Sequence, residues 1–237
     1  MASACPGSAE RHLQAGHQHA RKQAWQKAVE AYEAAAAADA TCARCLSLAG
    51  LANQRLGRPE AAADAFSRAL AIDRAEAGAH VGLGALAVEA ADAGAALTWL
   101  EAVTTPEAEV VRGRALLLRG GPGDADAALT SARAALAALP ASVEARYLEG
   151  SALLALTRYA EAQASFETLE RTARDSPFGP YGLARVAAAQ QRSTDVLLYL
   201  KAARAAAPQA WQARAVAADP AFAFLAGSPA FTDAVGP

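Results

Sequence analysis

The chain has 237 residues and a formal net charge of −2, with Arg in large excess over Lys: only Lys22, Lys27 and Lys201 occur. That near-neutral balance supplies no basic stripe for a nucleic-acid backbone and no like-charged tail, so no nucleic-acid partner is expected. Alanine makes up roughly 30% of the residues, several times its ordinary share; it is the best helix former, no stretch alternates with period two, and the whole chain is expected to be helical.

In chain order, residues 1–8 carry no apolar run and are expected to be a flexible lead. No later stretch reaches the ~18 uninterrupted apolar residues that span a bilayer. Membrane insertion is therefore not expected, and the cytoplasm is the default compartment. Residues 9–208 then divide into six helical hairpins, at 9–42, 43–76, 77–108, 109–142, 143–176 and 177–208. Gly16, Gly50 and Gly84 recur every 34 residues, and after a two-residue contraction near Pro106 the column resumes at Gly150 and Ala184, with Leu116 the exception. Twelve positions further on stand Ala28, Ala62, Ala96, Ala128 and Ala162, with Val196 the exception, and four beyond those Tyr32, Phe66, Leu100, Phe166 and Leu200, with Ala132 the exception. Small residues mark where the two helices of a hairpin cross closely, and the large ones fill the gap to the next hairpin. Gly57-Arg58-Pro59, Gly120-Gly121-Pro122-Gly123 and Thr157-Arg158-Tyr159 mark turns inside hairpins. The fourth unit, with its Gly-rich turn and Ala132 where a ring is usual, fits the pattern least well. Residues 209–237 add a tail with the doublet Asp219-Pro220-Ala221-Phe222 and Ser228-Pro229-Ala230-Phe231, in which a capping side chain precedes Pro at a helix start.

Ala62-Asp64-Ala65-Phe66 and Tyr159 to Phe166 resemble the second-helix signature of the tetratricopeptide-repeat (TPR) family, and Leu83-Gly84 its first-helix signature. The tail resembles the closing segment of bacterial TPR proteins. The resemblance implies an all-α, right-handed α-solenoid of about six repeats plus C-terminal capping helices. It also implies a non-catalytic scaffold or adaptor that binds a partner peptide or helix, within a larger bacterial assembly. TPR proteins bind partners on the concave side, along their first helices. The corresponding positions here are Leu13 and His17; Ser47, Leu51 and Arg55; Val81; Tyr147 and Ser151; and Tyr181 and Arg185. The Lys/Asn/Arg carboxylate clamp of some TPR co-chaperones is absent from these places, which leaves a mildly apolar groove with Tyr147 and Tyr181 as its anchors. Trp211, Phe222 and Phe231 are expected to cap the last hairpin; the alternative is that they contact a partner or a second copy of the chain.

Cys42-Ala43-Arg44-Cys45 is the one motif with chemistry attached. A helix N-terminus beside Arg44 favours a thiolate, and Cys5 and His12 are near enough in the repeat frame to complete a metal site. Incidental small residues are the plainer reading; a metal-binding or thiol-redox module is the alternative. No other hydrolase, metalloprotease or phosphate-loop motif occurs, so neither catalysis nor a cofactor is expected.

Overall fold

The structure, a computed structural model, describes residues 6–209 and 211–236. Among them no strand occurs, and no helix is long and apolar enough to cross a membrane. The chain divides into two compact units, one reaching to Leu118 and the other starting at Arg119. The first unit contains α1 (Pro6–Arg21), α2 (Trp25–Ala38), α3 (Ala43–Arg55), α4 (Pro59–Ile72), α5 (Ala77–Glu89) and α6 (Ala93–Trp99), which pair as three hairpins, followed by α7 (Pro106–Arg119). The second contains α8 (Asp124–Ala138), then two hairpins from α9 (Val143–Ala155), α10 (Tyr159–Thr172), α11 (Phe178–Ala189) and α12 (Ser193–Ala206). It closes with α13 (Ala213–Ala217), a 3₁₀ turn (Pro220–Leu225) and α14 (Pro229–Val235). The division thus falls between the two helices of the fourth repeat, the one that fits the sequence pattern least.

Each hairpin turns on one left-handed residue: Gln23 (φ 55°), Gly57 (69°), Ala91 (59°), Thr157 (58°) and Gln191 (56°). The next amide then reaches back five residues, as Arg58 N–H does to the Asn53 carbonyl (3.0 Å) and Arg158 N–H to that of Leu153 (2.9 Å). This closes the orphan carbonyls of the first helix. Four of the five residues are not glycine, although the left-handed region penalises a Cβ by roughly 1–2 kcal/mol. The turn geometry is set by the helix pair, and these residues are carried into it. Two of the second helices begin on a capping side chain or a proline: Asp92 accepts the Ala95 N–H at 2.9 Å at the start of α6, and Pro59 opens α4.

The contraction near Pro106 is a truncated helix. α6 runs 7 residues where α4 runs 14. The Arg112 guanidinium, itself paired with Glu109, donates to the freed carbonyls of Leu100 (2.7 Å) and Val103 (2.6 Å). Gly120 to Gly123 are likewise closed by a charge. Asp124 accepts from Arg119 Nε (2.8 Å) and Nη2 (2.6 Å) and from the Gly121 amide (2.8 Å). The Arg119 hydrogen bonds come first among the causes that lower the Asp124 pKa to about 2, and they prevail over its burial.

The core is a set of rings seated on missing side chains. Phe66 is 1% exposed, and a Cβ on Gly50 would lie 2.6 Å from its ring, one on Gly82 only 2.2 Å. Phe166, fully buried, sits in the same way between Gly150 (2.5 Å) and Gly182 (2.2 Å), and Tyr32 fills the recess of Gly16 (2.4 Å). Each Phe is therefore shared between its own hairpin and the first helix of the next one. In the glycine column Gly16, Gly50 and Gly150 hold rings and Gly84 receives Leu100, while Ala28, Ala62 and Ala162 are buried with no exposed surface.

Candidate partner-binding face

In the first unit the positions expected to line a groove have different surroundings. Leu51 is 44% exposed and presents an apolar surface, and Arg55 lies 5.9 Å from the Trp25 ring centroid, its charge over the ring face. Leu13 is half-buried against the Tyr32 cluster and Val81 against Leu100 and Val103. Two expectations are corrected. His17 is turned toward α2, where its Nδ1 lies 3.1 Å from the Tyr32 hydroxyl, because that buried phenol needs a polar partner. Ser47 is buried, 3.4 Å from where a Gly78 Cβ would stand, so it belongs to the contact of α3 with α5.

In the second unit the aromatic residues divide into two groups. Tyr147 is half-buried, its ring 5.6 Å from Phe166 and 5.1 Å from Phe178, which is 42% exposed. Ser151 is half-buried on the same helix, one turn further along. Tyr181 and Arg185 are engaged by the tail: the Tyr181 hydroxyl donates to Asp219 Oδ2 at 2.5 Å, and Arg185 Nε stands 3.7 Å from the same oxygen. Burial, then the bond to Asp219, pushes the Tyr181 phenol far above its ordinary pKa, so it stays protonated as the donor. Sequence reasoning missed both Phe178 and Asp219. Phe178 could have been found as the aromatic residue that opens a first helix; nothing in the repeat frame points to Asp219, which lies outside it.

The tail is folded onto the last hairpin. Phe222 and Phe231, 1% and 5% exposed, pack with Val196 and Leu200, and Phe222 stands edge-on to Tyr181 at 5.9 Å. The Trp211 indole N–H donates to the Val235 carbonyl at 2.7 Å. As folded, neither phenylalanine is offered to a partner or to a second copy, because each fills the apolar end of the chain's own stack.

Cys42 and Cys45 are joined by a disulfide, their Cα atoms 5.3 Å apart, at the N-terminus of α3. In this state their sulfurs are not thiolate ligands. His12 is exposed on α1, and Cys5 lies outside the described residues. Among the described residues no group of three or more His, Cys, Asp or Glu side chains could hold a metal ion.

No protein-family model matches the chain, and no curated protein matches its sequence. Solved structures do. A TPR protein of Thermus thermophilus superposes with a TM-score of 0.64 at 20% identity, over 71% of this chain and 93% of that one. A tetratricopeptide-repeat protein from Parabacteroides merdae gives 0.66 at 14% identity, over 91% and 84%. A chain of the Cut9–Hcn1 hetero-tetramer of the APC/C gives 0.75 at 14% identity; 89% of this chain matches 42% of that one. The fold is therefore the all-α solenoid of TPR proteins.

Proposed function

We propose that this chain is a protein-binding scaffold with no catalytic role, which holds a peptide or helix of a partner protein against first-helix surfaces. The observation that carries this reading is the Tyr147–Phe178 pair. Two aromatic rings in tilted contact, their centroids 5.1 Å apart and one of them 42% exposed, stand on adjacent first helices of the second unit. Aromatic anchors of this kind dominate the energetics of protein interfaces. In the first unit, exposed Leu51 on a first helix offers apolar surface. Tyr181 and Arg185 are engaged by Asp219, so the partner's main anchor in the second unit is the Tyr147–Phe178 pair. Solenoid likeness to a chain from a hetero-tetramer supports a place within a larger assembly.

The reading is tested by capture from native lysate with wild type, a Tyr147→Ala/Phe178→Ala double variant, and Leu198→Ala. Leu198 is 62% exposed on the second helix of its hairpin and serves as the control for loss of any surface apolar group. Partners should be retained by Leu198→Ala and lost from the double variant. Equal capture by all three, with the double variant's helical circular dichroism intact, would refute this face as the binding surface.

A further inference from the structure

We propose that Cys42 and Cys45 form a thiol–disulfide exchange site, in which Cys42 is the sulfur attacked by an incoming thiol and Cys45 is the leaving sulfur. The two cysteines are unequally exposed. Cys42 is half-buried at the N-cap of α3, whereas Cys45, one turn in, is 1% exposed. Exchange proceeds only at a sulfur that a thiolate can reach in line, so this asymmetry assigns the roles.

Local electrostatics support the same assignment. Cys42 Sγ accepts the Cys45 amide N–H at 3.2 Å, at the head of a 13-residue helix with no acidic residue in its first turn. The Cys45 amide and the positive end of the helix dipole stabilise negative charge on that sulfur once it is released. Arg44, exposed in the same turn, adds a positive charge.

A purely structural bridge is a poorer account. Loop-closure stabilisation grows with the length of chain enclosed, and only Ala43 and Arg44 lie between the two cysteines. The helix start is already fixed without the bridge: the Cys42 amide donates to the Asp39 carbonyl at 3.0 Å and the Cys45 amide to that of Cys42 at 3.1 Å.

The chemistry balances with thiols as the co-reactant. A thiolate bonds to Cys42 Sγ, the Cys42–Cys45 bond breaks, and its electron pair leaves on Cys45 Sγ, which takes a proton from water. A second thiolate then attacks the substrate sulfur of the mixed disulfide and releases Cys42 as the thiolate. Two substrate thiols are oxidised to a disulfide and the protein pair is reduced to a dithiol; a substrate disulfide drives the reverse.

The experiment uses the full chain carrying Cys5→Ser, which leaves two of its three cysteines. Equilibration in glutathione buffers from reduced to oxidised, with maleimide trapping, should show the pair titrating reversibly. After reduction, iodoacetamide at neutral pH should alkylate Cys42 at least tenfold faster than Cys45, and faster in the folded chain than in urea. With Cys45→Ser, oxidised glutathione should form a mixed disulfide at Cys42, while in folded Cys42→Ser it should leave Cys45 unmodified. Reduced ribonuclease A replaces glutathione in a parallel arm; exchange with either thiol supports the site and tells protein from small-molecule substrates. A pair that stays oxidised in strongly reducing glutathione, one that never oxidises, or equal alkylation of Cys42 in folded and unfolded chain overturns the proposal. None of these readouts depends on partner capture, so each proposal can fail without the other.

Discussion

Gly182→Ala is the sharpest probe of how the hairpins are joined, because two effects of opposite sign meet at one atom. Alanine inside a helix is favoured over glycine by about 1 kcal/mol. Against this, the new Cβ in α11 would lie 2.2 Å from Phe166 Cδ1 and 2.4 Å from its Cε1. The ring is fully buried and has Gly150 on its other side, where a Cβ would stand 2.5 Å away, so little room exists for it to retreat. Overpacking of this kind typically destabilises by about 1–3 kcal/mol, and a clash with a confined ring belongs at the upper end of that range. The net expectation is a loss of about 1–2 kcal/mol. Gly94→Ala is the matched control: its Cβ would meet nothing closer than Asp92 Oδ1 at 3.5 Å, an ordinary contact, so it should be neutral or slightly stabilising. Urea unfolding followed by circular dichroism gives the midpoints. Because a hairpin stack need not unfold as a single two-state unit, hydrogen exchange across α10 and α11 locates the effect. In a Phe166→Leu background the penalty of Gly182→Ala should shrink by roughly 0.5 kcal/mol or more, the signature of direct contact. A Gly182→Ala protein with a midpoint at or above wild type would refute the shared-ring account.

Asp124 carries a pH signature. Its folded pKa of about 2 lies below the ordinary carboxylate value, so its ionised form stabilises the fold. That contribution is complete above the unfolded pKa, near 4, and fades as the pH falls toward 2; the gap in urea midpoint between wild type and Asp124→Asn should be full at pH 6 and shrink across this window. Tyr181→Phe removes the donor to Asp219 and leaves a charged acceptor short of a partner, which should loosen the tail by about 1.5–3 kcal/mol. Hydrogen exchange at 219–235 should quicken while α9 and α10 stay protected.

The parts of this fold legible in the sequence are those that repeat. A ring seated on Gly16, Gly50 or Gly150 recurs because every hairpin meets the same steric demand, and a steric demand at fixed spacing leaves a column of small residues. Gly82 and Gly182 were also in plain view, as Gly82-Leu83-Gly84 and Gly182-Leu183-Ala184. Their role escaped because the ring each one receives belongs to the preceding repeat. His17 was placed in the groove by periodicity, but hydrogen bonding decided its direction: the hydroxyl of Tyr32 needed a partner. The Tyr181–Asp219 bond spans 38 residues and joins a repeat to a non-repeat, so no period can announce it. Cys42 and Cys45 were readable as a motif, yet a dithiol and a disulfide share one spacing, and only the three-dimensional placement shows one cysteine half-buried and the other enclosed.

The folded-back tail bears on assembly. A stack of hairpins ends in an apolar face that resembles the one its next repeat would have covered, and head-to-tail association through such faces does not close on itself but grows into filaments. Phe222 and Phe231 occupy that face on the last hairpin with residues that are not a repeat and cannot present the same face again. The tail thus buries, with residues that are not a repeat, the face through which that hairpin would otherwise stack on another.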